Sequence, residues 1–228
     1  MENKKEKLED FKTAISSTVR SLSNSQEIEI SFGNQAIKSS KNSIRLPDLE
    51  QGSNKLNYEK IRAIADSKSL NLRFSDVKTL KKYEPEGNIS KKLYSISEKI
   101  RCEKIGTSYF KGVKKNIEKY YYKRLSGLDL KSSEDKIIES FENYLRVKFL
   151  NFKNESQIDK RLKPFKKDLN DQLKNRINEL KDLTLDQEKF NSLVSKMIND
   201  MNLDENINEE EKRDEENDND DKQSKPQN

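Results

Sequence analysis

The chain has 228 residues, 31% hydrophobic and 38% charged, with 46 Lys and Arg against 41 Asp and Glu. It holds no histidine and a single cysteine, Cys102, which excludes a disulfide framework and a CxxC zinc site and removes the commonest general base and transition-metal ligand. No apolar run approaches the ~18 residues needed to cross a bilayer, and no signal-peptide core is present, so a cytoplasmic soluble protein is expected.

Apolar content and charge are both uneven along the chain. Residues 204–228 contain one apolar side chain, Ile207, and 11 acids against 4 bases, a net charge of −7. Residues 1–203 then hold 30 acids and 42 bases, net +12. The expected organisation is a helical body, 1–203, with a thin but well-patterned core, followed by a disordered acidic tail, 204–228. The charge split has two readings: an anionic partner for which the tail competes, or a genome that spells polar positions with Lys and Asn.

In chain order, residues 4–22 place Leu8, Phe11, Ile15, Val19 and Leu22 on one side of an amphipathic helix, ended by Ser23-Asn24-Ser25. Residues 27–32 alternate, with Ile28, Ile30 and Phe32 facing one way, and residues 43–46 read as a return strand closed by Pro47. A small antiparallel hairpin is expected, resting on the helices because two strands alone are marginal. After a polar linker, a second helix spans 58–72, with Tyr58, Ile61, Ala65 and Leu72 inward. Arg62 and Asp66, four apart, can pair on one face; a surface pair of that kind contributes a few tenths of a kcal/mol.

Residues 84–124 organise the rest. Pro85 and Gly87 make a turn, and Asn88 is a candidate helix N-cap. Ile89, Leu93, Ile96, Ile100, Phe110, Val113, Ile117 and Tyr121 then form one helical stripe, predicted to run to a break near Gly127. Glu103 and Gly106 fall on the face to be buried. An inward carboxylate needs a partner, and a glycine inside a helix costs roughly 1 kcal/mol relative to alanine. Gly112 repeats that cost, so a neighbour pressed against the backbone at both glycines is expected. Arg101 and Glu103, two apart, must look to different neighbours. Tyr120-Tyr121-Tyr122 beside Lys123 and Arg124 reads either as a helix end with one or two rings inward or as a basic-aromatic nucleic-acid surface.

Ser132 or Ser133 caps a helix to residue 150, with Ile138, Phe141, Leu145 and Phe149 inward. Pro164 opens another, with Phe165, Leu169, Leu173, Ile177 and Leu180. Asp186 caps a last one carrying Phe190, Leu193, Val194, Met197 and Met201. The predicted class is mainly α, a multi-helix bundle with a small N-terminal β-hairpin. No phosphate-cradling loop, nucleophile elbow or EF-hand loop occurs among the six glycines, so ATP binding by this chain is not expected.

One run is more specific than these patterns. Glu98, Arg101, Glu103, Ile105, Gly106, Gly112, Val113 and Asn116, after Pro85-Glu86-Gly87, resemble the N-terminal region of the CobT subunit of aerobic cobaltochelatase. Arg62, Ala65, Asp66, Leu70, Leu72 and Arg73 are similar to it too, as is Asp186-Gln187 before Phe190. The resemblance covers nearly the whole chain. It implies work with an AAA+ ATPase subunit and a large corrin-binding subunit, in a hetero-oligomer. That complex uses ATP, Mg and cobalt to insert cobalt into hydrogenobyrinic acid a,c-diamide in aerobic cobalamin synthesis. The family's C-terminal von Willebrand A domain carries an Asp-x-Ser-x-Ser metal site, a motif absent from these 228 residues. A non-catalytic docking subunit binding no cofactor itself is therefore expected, as a truncated gene product, a fragment or one piece of a split gene. Its candidate packing or partner-contact residues are Arg101, Glu103, Gly106, Gly112, Asn116, Arg62 and Asp66. Alternatives are an adaptor for another AAA+ and von Willebrand A system, or a basic helical nucleic-acid-binding protein. A membrane partner is not expected.

Overall fold

The computed structural model describes residues 2–34, 42–48, 55–153, 169 and 173–203. Among them are eight helices and two strands: α1 (Glu2–Ser23), β1 (Glu29–Phe32), β2 (Ser43–Leu46), α2 (Lys55–Phe74), α3 (Val77–Lys82), α4 (Asn88–Tyr109), α5 (Lys111–Ser126), α6 (Ser133–Phe149), α7 (Arg176–Asp182) and α8 (Gln187–Asn199). The protein is mainly helical, as its periodicities predict. No described helix is long and apolar enough to cross a membrane.

Local chemistry sets several boundaries. After α1, Asn24 takes φ 55° and the Ser25 amide donates to the Arg20 carbonyl, a left-handed stop that Asn tolerates well. Ser132 accepts from the Asp135 amide and Asp186 from the Lys189 amide, two of the three predicted N-caps; Asn88, the third, is instead the first residue of α4, after Gly87 at φ 88°. Gly127 follows α5 as predicted. Asp76 caps the short α3, which the apolar spacing did not announce because none of its residues is buried.

Several expectations are corrected. The strands pair in parallel, Glu29 opposite Ser43 and Phe32 opposite Leu46, and do not form an antiparallel hairpin. Alternation assigns faces, not direction, and the ten residues 33–42 between the strands are more than a two-residue hairpin turn needs. The stripe of residues 84–124 is two helices, broken at Phe110, whose φ −121° and ψ 88° lie outside the helical region. The preceding Thr107 and Ser108 hydroxyls bond back to the Lys104 and Ile105 carbonyls, competing with the helix ladder as such side chains do. α5 therefore leaves the line of α4 and packs against α2. Leu72 points outward, 39% exposed. The predicted start at Pro164, Phe165 and the tail 204–228 lie outside the described residues. Leu169, Leu173, Ile177 and Leu180 are buried.

Two apolar clusters share α2. The smaller joins Ile15 and Val19 of α1, Ile28, Phe32, Ile44 and Leu46 of the strand layer, and Ile61 and Ala65 of α2. The larger takes Leu70 of α2 with the inner faces of α4 through α8. Gly106 is what lets α2 approach α4. A Cβ placed there would lie 2.2 Å from Leu70 Cδ2, closer than any real contact. Gly112 does not repeat the device: nothing comes within 4 Å of its would-be Cβ, because the break at Phe110 turns it outward.

Candidate functional site

The polar residues singled out in α2, α4 and α5 meet in the interior. Glu103 is fully buried. Its Oε1 accepts from Ser67 Oγ at 2.6 Å and its Oε2 from Arg146 Nη1 at 2.7 Å. Arg146, itself buried, donates through Nε to Glu142 Oε1 at 2.8 Å. Glu142 also accepts from Arg124 Nη2 at 2.9 Å, and Arg124 grips Glu139 with both terminal nitrogens at 2.6 and 2.9 Å. The Arg146 guanidinium lies 4.7 Å from the Tyr121 ring centroid, covering its remaining face. The result is a chain of alternating charge from α2 through α4 and α6 to α5.

Its electrostatics follow from that alternation. Burial pushes the Glu142 carboxyl up, but Arg146, Lys99 and Arg124 together outweigh burial and hold it at about 2. Burial works against the charge on Arg146, yet Glu103 and Glu142 raise its affinity for the proton above the ordinary value. Glu142 and Arg146 thus hold their charges through their neighbours, the condition under which buried charge is tolerable.

Two flanking pairs complete the arrangement. Asp66 accepts from Arg62 Nε at 3.2 Å and from Asn116 Nδ2 at 2.8 Å. Asp66 is wholly buried while Arg62 is 41% exposed, so this is not the surface pair its spacing implied. Burial raises the Asp66 carboxyl more than Asn116 and Arg62 lower it. Arg101 pairs through Nε and Nη2 with both oxygens of Glu98, each at 2.8 Å, and donates to the Thr184 carbonyl at 3.0 Å and to the Phe74 carbonyl. It therefore ties the ends of α2 and α7 to α4. Arg101 and Glu103 do look to different neighbours, as their spacing requires. Cys102 is buried beside Glu98, and burial pushes its thiol well up. Arg101→Lys is expected to lower stability by about 1–2 kcal/mol, because an ammonium cannot reproduce the planar fork. A fall in Tm of roughly 4 °C by calorimetry checks this.

Sequence reasoning missed Ser67, Glu139, Glu142, Arg146 and Thr184, and read Arg124 as part of a surface, not of this cluster. The spacing of Glu142 and Arg146 was visible, but the same spacing marks exposed pairs on many helices. What sets α6 apart is that residues 139–146 are all buried.

Above the cluster a cleft of about 370 Å³ opens between α2, α4, α5 and α6. Glu103, Glu142, Arg124 and Arg146 form its floor, and Lys68 and Lys99 stand at its rim. Lys68 donates to the Arg45 carbonyl at 2.9 Å, and burial, then the Arg45 charge, lower its proton affinity. No group of three or more His, Cys, Asp or Glu among the described residues could hold a metal ion. In the described residues fold and site together define a helical scaffold locked by internal ion pairs, not a built metal centre.

The chain matches the family of Cobalamin biosynthesis protein CobT over residues 5–228. It belongs to that family, and so to cobalamin biosynthesis; the family is a cobaltochelatase component. No solved structure matches the chain.

Proposed function

We propose that this chain is a non-catalytic part of ATP-dependent cobaltochelatase, acting in the cytoplasm. It docks to the AAA+ ATPase subunit and the large corrin-binding subunit, and so assists cobalt insertion into hydrogenobyrinic acid a,c-diamide. The observation that carries this reading, given the family, is where the charged residues of the specific run go. Arg101, Glu103, Asp66 and Asn116 all spend their hydrogen bonds on partners within the chain. They shape a rigid body and present no reacting group. The outward surface left by that body is what a partner can read, including the cleft rim at Lys68 and Lys99.

The test is reconstitution from three separately purified components. Light scattering after gel filtration is expected to show the chain in one particle with the ATPase subunit or the corrin-binding subunit. Cobalt insertion is expected only with all components and ATP present. ATP hydrolysis or corrin metallation by the chain alone would refute the reading, and so would failure to associate with either subunit.

A further inference from the structure

α5 presents an unusually one-sided surface. It carries Lys111, Lys114, Lys115, Lys119, Lys123 and Arg124 against a single acid, Glu118. By helical spacing Lys111, Lys115, Lys119 and Lys123 share one arc. A lysine-rich genome does not explain this. The same composition gives α1 interspersed signs, with Glu6, Glu9 and Asp10 among Lys4, Lys5, Lys7 and Lys12. Of the α5 lysines only Lys119 has a carboxylate partner among the described residues, Glu59 at 2.7 Å. Glu118 is already used, accepting from the Lys153 amide at 2.9 Å. Between α5 and the segment ending at Lys153 runs an open groove of about 470 Å³, lined by Lys115, Lys119, Lys123 and Lys153.

The complementary charge lies in the same chain. Residues 204–221 hold 11 acids and two bases. Fully extended, eighteen residues reach roughly 60 Å, beyond the width of a 200-residue body whose radius of gyration is about 16 Å. Polypeptide carboxylates also suit this surface better than a nucleic-acid strand. Its outward cations are lysines, not the forked arginines that grip phosphates. Arg124 is committed to Glu139 and Glu142. Tyr121 and Tyr122 are buried, which withdraws the stacking platforms a single strand would need. We infer that the basic face of α5 receives the chain's own acidic segment, residues 204–221, along the groove that ends at Lys153. This contact is held by charge alone and is therefore weak and salt-sensitive. An acidic partner can displace it.

Zero-length carbodiimide cross-linking of the full chain at low salt, followed by peptide mapping, tests the inference. Amide links are expected from Lys115, Lys123 or Lys153 to acids within 204–221. Their yield should stand about tenfold above that of exposed Lys7 or Lys60, and should fall to that level near 0.5 M salt. Backbone NMR supplies an arm independent of cross-linking chemistry: Lys115→Gln/Lys119→Gln/Lys123→Gln should shift the 204–221 amides to their high-salt positions. Links spread evenly over exposed lysines would overturn the inference. So would tail amides that do not respond to the triple variant, or links formed only between isotopically distinct copies. A single-stranded oligonucleotide that covers α5 without moving the tail amides would overturn it too.

Discussion

Arg146→Met is expected to destabilise the fold by roughly 3–5 kcal/mol, the cost of leaving buried carboxylates without their cation. The guanidinium satisfies Glu103 and Glu142 at once, and a thioether of similar length fills the volume while supplying neither charge nor donors. Urea unfolding measures the loss. Adding Glu103→Gln should recover part of it, because an amide in that position removes the stranded charge and can still accept from Ser67. If the double variant is no more stable than the single, the cost is one of shape and not of charge. Acid titration reads the same cluster from the other side. The folded Glu142 carboxyl lies at about 2, below its ordinary 4.5. Its contribution, about 3 kcal/mol, is complete above pH 4.5 and lost as pH falls from there toward 2. In Arg146→Met that acid-sensitive window should narrow, since only Lys99 and Arg124 still hold the carboxyl down.

Gly106→Val is expected to cost about 3 kcal/mol, near the upper end of what overpacking a closed core exacts. Leu70, fully buried, lies at 2.2, 2.5 and 2.8 Å from the position a Cβ would take. Those distances reach back to Cγ, so relief needs Leu70 to turn about χ1 inside a closed core or α2 to move off α4. Combining it with Leu70→Ala should restore a good part of the stability. Gly112→Ala should behave oppositely, since open space surrounds it and alanine favours the helix by up to about 1 kcal/mol. Chemical denaturation of the pair reads the contrast. Equal losses at the two glycines would mean that the α2–α4 approach does not depend on Gly106.

Most of the helices, three of their caps and the inward turn of Glu103 were legible because each rests on local rules: period, capping chemistry and the intolerance of an unpaired buried charge; the short α3, with no buried residue, was not. Gly106 was legible for the same reason. Gly112 was not, because a glycine announces permission, and only the fold decides whether a neighbour uses it. The break at Phe110 hid behind an apolar spacing that continues across it, with Val113 and Ile117 still in phase. The direction of the strand pair is invisible to alternation. The hardest part to foresee was Arg146. Nothing in its neighbourhood on α6 distinguishes it from a solvated arginine until α2, α4 and α5 close around it, and that closure is tertiary.

α2 has a mechanical consequence. Ile61 and Ala65 belong to one apolar cluster and Leu70 to the other, while Asp66 and Ser67 between them are bonded across to Asn116 and Glu103. A load applied to the strand-bearing layer thus cannot be absorbed by slippage along an oily seam. It arrives at α4 and α5 as a torque on fixed hydrogen bonds, which hold their register until they snap. α2 is thus the member through which the strand layer and the larger helical core are coupled.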